Sequence, residues 1–393
     1  MSDPMRVSVL GATGSIGVST LDILSNQSPG GPRFQTVALT AHSRVDELAR
    51  AALASRAEFA AIADPTRYQE LKSALAGSDV EVGAGAGAVV EAASREADCV
   101  VAAIVGIAGL PSTLEAVRQG ARVALANKES LVCAGDLLKR EARTSGAKLL
   151  PVDSEHNAIF QVLDRPDRVE KLILTASGGP FRDWSLEQMS RASPEEARKH
   201  PNWLMGAKIS VDCATMMNKG LELIEAVQLF DVPEDRIDIL IHPQSIIHSL
   251  VAYDDGSVLA QLGMPDMRTP ISFALSWPDR MPVPGLERLD LAKIGRLDFH
   301  APDPARFPAL SFARAAAAAG GGACVALNGA NEAAVEAFLN GRTDFLSISR
   351  TAGDMLEETI REGRHASPGS FEEIYDLDRQ VRARCCERFG LSS

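Results

Sequence analysis

The 393-residue chain has no C-x-x-C pair, and its six cysteines, at positions 99, 133, 213, 324, 385 and 386, follow no framework spacing. Several lie in apolar surroundings, which argues against a disulfide scaffold and for a reducing compartment, the cytoplasm. Also missing is any run of about 18 uncharged apolar residues, the length a membrane-spanning helix needs. The opening residues MSDPMR carry no apolar stretch ahead of a cleavage site, so neither secretion nor a bilayer span is expected. Positive charge is in deficit: 40 Lys and Arg against 52 Asp and Glu give a net −12. That balance argues against a nucleic-acid partner and against an anionic membrane, and an anionic substrate would need a locally basic pocket. The length exceeds what one hydrophobic core supports, so two or three domains are expected. The 46% hydrophobic and 23% charged content is ordinary for a soluble globular protein.

The first 150 residues read as alternating strands and helices, the pattern of a doubly wound parallel sheet. A short apolar strand over 6–10 runs into GATGSIG (11–17) and then a helix carrying Ile16, Leu21 and Leu24. A glycine-rich turn between strand and helix is a phosphate cradle: absent side chains admit a pyrophosphate, and the helix N-terminus supplies N–H groups and partial positive charge. The spacing is G-x-x-G-x-x-G rather than G-x-G-x-x-G, so the same turn without a ligand is the competing reading. The second strand, over 35–40, ends in Ala41, His42, Ser43 and Arg44, with no acid where a ribose 2′-hydroxyl would be held. Ser43 and Arg44 suit a 2′-phosphate, which favours NADPH over NADH, although Arg44 could simply be a solvated surface residue. Strands over 59–63, 99–105 and 121–126 follow, with Asp64-Pro65 as a helix start.

An apolar strand over 147–152 ends abruptly in Asp153, Ser154 and Glu155. Beyond the carboxyl end of a parallel strand these acids face the ligand crevice, and their hard oxygens suit Mg²⁺ or Mn²⁺. Taken alone the triplet reads more simply as a cap for the helix after it, with negative charge at its N-terminus. Asn127, Lys128, Glu129 and Ser130 cluster at another strand end, where Lys128 could meet substrate or nicotinamide or merely begin a helix.

In the next section a strand over 172–176 enters the flexible turn Ser177-Gly178-Gly179-Pro180. Two helix-start signals follow, Ser185 with Gln188, and Ser193 with Pro194 and Glu196. Between Gly179 and Gly206 they suggest a lid hinged at glycines, with HPNWLM (200–205) at its tip. Trp203 and Met205 could equally be core. From KISVDC (208–213) helical periodicity takes over near Thr215, and Asn218, Lys219 and Glu222 then share one helix face. Such a face can hold a phosphate at one end and offer a carboxylate to a metal at the other, though a surface ion pair at this spacing is commoner. Strands over 237–241, 246–253 and 258–262 read as an antiparallel sheet.

Together and in order, GATGSIG (11–17), ANKES (126–130), PVDSEHN (151–157), ASGGPFR (176–182), HPNW (200–203), MMNKGLE (216–222) and IHPQS (241–245) resemble the 1-deoxy-D-xylulose 5-phosphate reductoisomerase family over essentially the full length. The resemblance implies NADPH- and divalent-metal-dependent rearrangement and reduction of a sugar phosphate by a homodimer. It implies metal ligands at Asp153, Glu155 and Glu222, with Lys128 and Ser154 on the reacting backbone of the substrate. It places Ser177, Cys213, Asn218 and Lys219 on the phosphate, with His200 and Trp203 closing over the ligand. NADPH would meet Gly11, Thr13, Gly14, Ser15, Ile16, Asn127, Glu129 and Gly206, with His42, Ser43 and Arg44 at the adenosine end. Two positions depart from the family pattern: Cys213 where serine is usual, and His42 where glycine is usual.

The expected architecture is α/β throughout. A Rossmann-like NADPH domain covers 1–150, and an α+β catalytic, metal-binding and dimerisation domain covers 151–285 with a lid over 178–207. A linker follows at 286–308, then a C-terminal helical bundle over 309–393, whose first helix is stopped at Gly320, Gly321 and Gly322. Two competitors share the first domain: a plain NADP-dependent semialdehyde or hydroxyacid dehydrogenase, which needs no carboxylate triad, and a non-enzymatic NADPH sensor.

Overall fold

The computed structural model describes residues 3–26, 31–203 and 205–390. From the N-terminus the chain passes through β1 (Met5–Leu10), α1 (Ser15–Ser25), β2 (Phe34–Ala41), α2 (Val45–Ser55), β3 (Phe59–Ile62), α3 (Tyr68–Ala74), β4 (Glu81–Ala84) and α4 (Gly85–Ser94). β5 (Cys99–Ala102), α5 (Leu110–Arg118), β6 (Arg122–Leu125), α6 (Lys128–Ser145), β7 (Lys148–Pro151) and α7 (Ser154–Val162) continue the alternation. Next come β8 (Val169–Ala176), two one-turn helices, α8 (Leu186–Met189) and α9 (Pro194–Ala197), then α10 (Ala207–Ala214) and α11 (Met217–Phe230). β9 (Ile237–Ile241), β10 (Ile247–Tyr253) and β11 (Val258–Leu262) precede α12 (Arg268–Ser276) and α13 (Leu291–Ile294). α14 (Ala309–Ala319), α15 (Gly321–Leu339), α16 (Phe345–Arg361) and α17 (Phe371–Phe389) follow. No helix among the described residues is long and apolar enough to cross a membrane.

The first of two compact units comprises Met1–Ser130, Leu138–Asn157 and Asp266–Glu287. Its seven strands are all parallel, in the order β4-β3-β2-β1-β5-β6-β7. β3 and β5 are buried at every residue, as strands covered on both faces must be. Strand order reverses between β1 and β5, which makes the end of β1, and so Gly11, the switch point where ligands collect. α12 belongs to this unit, although the sequence suggests a boundary near 285. Arg268 reaches Asp22 at 3.0 Å, Arg122 donates to the Trp277 carbonyl at 3.0 Å, and Ile271, Ala274 and Leu275 are buried. Only tertiary contacts carry that return of the chain.

The second unit comprises Leu131–Leu137, Ala158–Pro265 and Arg288–Ser393. Its sheet has the order β11-β10-β8-β9 and is mixed: β10 runs antiparallel to β8 and β11, whereas β9 is parallel to β8. The expected antiparallel sheet is thus corrected at β9. The long excursion through α8–α11 separates β8 from β9 and permits a parallel crossover. The helices α14–α17 are not a detached bundle. Phe338, Phe345 and Ile348 share one apolar core with Leu172, Leu174 and Ile239.

Two local readings also change. Residues 207–214 are helix, ended by the left-handed Met216 (φ +63°), so α10 begins well before Thr215. Gly320 ends α14, but Gly321 and Gly322 open α15 instead of extending a stop. A Cβ on Gly322 would lie 2.2 Å from the Arg364 carbonyl, so position 322 accepts only glycine. Within the segment expected as a lid, 178–207, Phe181, Met189 and Ala197 are fully buried. No residue of 198–203 or 205–206 is buried, and Leu204, part of the expected lid tip, lies outside the described residues.

Candidate active site

In the first unit the GATGSIG turn forms a tight corner, with Gly14 N–H donating to the Gly11 carbonyl at 3.0 Å. Gly11 N–H donates to Thr40 Oγ1 at 2.9 Å, which fixes the turn to β2. Gly11 has φ +88°, and a Cβ there would meet the Ala103 carbonyl at 2.7 Å. At Gly17 a Cβ would fall 2.4 Å from the Gly11 carbonyl, so both ends of the motif demand glycine for close backbone packing. Gly14 caps α1 with no side-chain hydrogen bond, and the first turn carries no acid. Those N–H groups and the positive helix end therefore suit an anion, beside buried Thr13 and exposed Ser15. At the end of β2, His42 and Arg44 are exposed, and Arg44 pairs with Glu47 at 3.0 Å. A surface pair of this kind is worth about 0–1 kcal/mol, so a 2′-phosphate competes easily for the guanidinium.

Asn127 caps α6, and its side chain is fully used. Its Oδ1 accepts from Ser130 N at 2.8 Å and from Ser130 Oγ, while Nδ2 donates to the carbonyls of Ile104 and Gly106. A cofactor contact at this position therefore falls to the backbone. Lys128 follows, 5% exposed, with Nζ 2.5 Å from Asp153 Oδ2. The other Asp153 oxygen lies 3.4 Å from His156 Nδ1 and accepts from Glu155 N at 3.3 Å. Asp153 thus serves as helix cap and as the partner of a buried lysine at once. Ser154 Oγ donates to Glu155 Oε2.

In the second unit Ser177 sits at the end of β8, before two left-handed glycines, Gly178 (φ +86°) and Gly179 (φ +69°). Its Oγ accepts from Gly179 N at 3.1 Å and lies 2.9 Å from His200 Nε2. His200 Nδ1 accepts from the N–H groups of Asn202 and Trp203, at 3.2 and 3.1 Å, which puts the neutral ring's proton on Nε2. That proton goes to Ser177 Oγ, and the hydroxyl's own proton is then oriented for a ligand oxygen. Asn202 Nδ2 donates to the Pro243 carbonyl and to Ser245 Oγ, both at 2.8 Å, holding this segment against the IHPQS turn. The Trp203 ring stands 6.3 Å from that of His248.

Gly206 opens α10 with no side-chain cap and no acid in the first turn, a second helix end suited to an anion. Cys213 lies half-buried in the last turn of α10. Burial raises the thiols of Cys99 and Cys324 to about 11 and about 12 respectively, which marks them as inert core. On α11, Asn218 Nδ2 donates to Glu222 Oε1 at 2.5 Å and Lys219 Nζ pairs with Glu222 Oε2. The surface ion-pair reading fails here, because the Lys219 and Glu222 side chains are 4% and 1% exposed. Burying a lysine–glutamate pair costs desolvation that its own attraction barely offsets, so a site function explains it better than stability.

Sequence reasoning passed over His156, Asp212, Asn202 and Asn331. His156 is three residues beyond Asp153, and Lys208 and Asp212 are four apart on one helix, spacings that place them side by side. Asn331 carries no local signal, since its partner is 119 residues away.

Family models for 1-deoxy-D-xylulose 5-phosphate reductoisomerase match residues 7–135, its C-terminal domain residues 149–230, and the DXP reductoisomerase C-terminal domain residues 262–384. The 1-deoxy-D-xylulose 5-phosphate reductoisomerase of Rhodospirillum centenum is 56% identical over 379 residues, covering 96% of this chain and 92% of its own. That of Zymomonas mobilis is 54% identical over 384 residues, covering 97% of each. The solved structure of the Zymomonas mobilis enzyme in complex with NADPH superposes with a TM-score of 0.89 at 51% identity, covering 99% of both chains. A DOX-P reductoisomerase in complex with NADPH, fosmidomycin and magnesium gives 0.93 at 46% identity over 98% of both chains. This chain belongs to the 1-deoxy-D-xylulose 5-phosphate reductoisomerase family.

Proposed function

We propose that this chain catalyses the NADPH- and divalent-metal-dependent rearrangement and reduction of 1-deoxy-D-xylulose 5-phosphate to 2-C-methyl-D-erythritol 4-phosphate, a step of isoprenoid precursor synthesis. The observation that carries the reading is the paired arrangement of buried charge: Lys128 on Asp153 in one unit, Lys219 and Asn218 on Glu222 in the other. A dehydrogenase without rearrangement has no use for these acids, and relatives more than half identical are named reductoisomerases.

The donor set fits the groups the reaction requires. Asp153, Glu155 and Glu222, all hard carboxylates, are proposed as ligands of Mg²⁺ or Mn²⁺. The uncapped, acid-free start of α1 fits the NADPH pyrophosphate, and Ser43 and Arg44 the 2′-phosphate. When bound, the ion supplies Lewis acidity to the hydroxyketone oxygens and NADPH supplies the hydride.

The remaining work falls to the protein. Ser177 donates its hydroxyl proton to a phosphate oxygen, held in that orientation by His200 Nε2–H and Gly179 N–H. Cys213, Asn218 and Lys219 complete the phosphate contacts, and the buried Lys219 ammonium supplies the local positive charge that an acidic chain otherwise lacks. Lys128 orients Asp153, and Lys128 and Ser154 bind the reacting backbone. Trp203, on the segment that Asn202 holds down, excludes water from the ligand. We further propose a homodimer and a cytoplasmic location, the latter supported by six free cysteines and the acidic balance.

The test is NADPH oxidation, followed by the loss of its absorbance, with deoxyxylulose phosphate as substrate. Turnover that appears only with Mg²⁺ or Mn²⁺ supports the reading. Activity surviving full chelation refutes it, as does NADPH binding without turnover.

A further inference from the structure

We infer that Asn331 is a positioning residue for the phosphate end of the substrate site, acting through Asp212; the inference rests on the reductoisomerase reading above. Asn331 lies on α15, 0% exposed, and its Nδ2 donates to Asp212 Oδ1 at 2.8 Å. Its Oδ1 meets no partner among the described residues. A buried amide oxygen without a partner is destabilising, so an apolar side chain of equal size would serve α15 better. What the amide contributes must lie in the one bond it makes.

Asp212 is 1% exposed, and its second oxygen takes Lys208 Nζ at 2.9 Å from one turn earlier on α10. The carboxylate is therefore clamped between its own helix and α15. Its main chain in turn builds the corner between α10 and α11. Thr215 Oγ1 donates to the Asp212 carbonyl at 3.2 Å and accepts from Met217 N at 3.2 Å, around the left-handed Met216. Asn218 and Lys219 are the next two residues of that turn. On the other side, the Cys213 carbonyl abuts the Ser177 turn: a Cβ on Gly179 would lie 2.5 Å from it, and Gly179 N–H holds Ser177 Oγ. Any roll of the last turn of α10 thus shifts Ser177, Cys213, Asn218 and Lys219 together. Asn331 fixes that roll, and sub-ångström placement of such groups governs affinity for a dianion.

The experiment compares the full-length protein with Asn331→Leu and with the exchange pair Asn331→Asp plus Asp212→Asn, which restores the bond with donor and acceptor reversed. Asn331→Leu is expected to raise KM for the sugar phosphate about tenfold, the size of one hydrogen bond to a charged group. KM for NADPH should stay within about twofold, since α1 is untouched, and kcat should fall by less than KM rises, since Glu222 is reached only through Asn218 and Lys219. The exchange pair is expected to bring KM back toward the wild-type value, while Asn331→Asp alone does not. An unchanged KM in folded Asn331→Leu overturns the inference, as does a parallel loss in kcat and in both KM values without rescue. If Asn331→Leu fails to fold, recovery of KM by the exchange pair relative to Asn331→Asp supports it, and no recovery overturns it. Inorganic phosphate binding, measured by calorimetry, separates this result from the activity. Should the wild type turn over no deoxyxylulose phosphate, the reductoisomerase reading falls, yet a tenfold weaker phosphate affinity in Asn331→Leu still upholds the role of Asn331 and an equal affinity overturns it.

Discussion

Lys128 Nζ stands 2.5 Å from Asp153 Oδ2, with the two side chains only 6% and 10% exposed. Neither charge can be left alone in that environment. Removing one partner of a buried pair costs roughly 3–5 kcal/mol, because the other stays charged and dehydrated. Lys128→Met should therefore lower the unfolding midpoint, and Mg²⁺ or Mn²⁺ should restore more stability to the variant than to the wild type by replacing the lost charge at Asp153. Scanning calorimetry with and without the ion checks this. Equal ion-induced shifts in both proteins would remove Asp153 from the ligand set.

In the second unit Lys219 and Asn218 occupy the two oxygens of the buried Glu222. Glu222→Gln keeps the volume and can still accept from Asn218, but it takes the counter-charge from the buried Lys219 ammonium, so the unfolding midpoint should fall and turnover is compared on the folded variant. The proposed metal site loses a charge, and metal polarisation is worth several kcal/mol at about 1.36 kcal/mol per decade of rate. Turnover should drop at least about 100-fold. NADPH affinity, read by fluorescence titration, should change little, because its proposed contacts lie elsewhere. A variant that turns over at the wild-type rate would exclude Glu222 as a ligand.

What could be read beforehand is local. The strand, glycine turn and helix at 11–17 announce themselves because a close backbone approach forces glycine at Gly11 and Gly17. The caps at Ser185 and Ser193 follow from side-chain reach, and both form full capping boxes. Asn218, Lys219 and Glu222 share a face by helical period alone. Features that failed to show depend on contacts distant in sequence. α12 joins the first unit through Arg268 and Asp22, 246 residues apart. The burial of Met189 and Ala197 depends on such contacts too, and Asn331 is meaningful only once α15 lies on α10. Gly321 and Gly322 look like a helix stop until the backbone of 364–367 is seen pressing on them.

Cys213, in the last turn of α10, offers a thiol as its proposed phosphate contact. A thiol is a weak donor, and a hydroxyl donates to a phosphate far better. Cys213→Ser should lower KM for the sugar phosphate by about three- to tenfold, roughly one hydrogen bond to a charged group, with kcat nearly unchanged. Steady-state kinetics at saturating NADPH reads it directly. Should KM stay where it is, position 213 does not touch the phosphate.

Glu196 closes the capping box of α9, immediately before the unburied segment 198–203. The Ser193 N–H, at 2.9 Å, and then the Ser193 hydroxyl, at 2.9 Å, hold its carboxyl below the usual glutamate range. A depressed carboxyl stabilises the fold at pH above its ordinary value, and that contribution disappears as pH falls through the lowered one. Amide exchange over 193–203 should therefore accelerate at acid pH, relative to Glu196→Gln, whose amide accepts from Ser193 without titrating, as Gln188 does from Ser185. Matching exchange profiles for the two proteins across the acid range would show that this cap does not govern the segment.

Gly322 offers the sharpest contrast with ordinary helix chemistry. In an exposed helix interior, alanine in place of glycine gains about 1 kcal/mol through propensity. Here the new Cβ would sit 2.2 Å from the Arg364 carbonyl and 2.6 Å from that of Ala366, both backbone atoms. Gly322 N–H also donates to the Ala366 carbonyl at 3.1 Å, so separating the segments breaks a bond. Overpacking against atoms that cannot swing aside costs about 1–3 kcal/mol or more, which exceeds the propensity gain. Gly322→Ala should lower the urea midpoint, whereas Gly87→Ala on α4, where a Cβ meets nothing within 4 Å, should raise it or leave it unchanged. If both variants move the midpoint in the same direction, helix propensity and not the 364–366 backbone decides the start of α15.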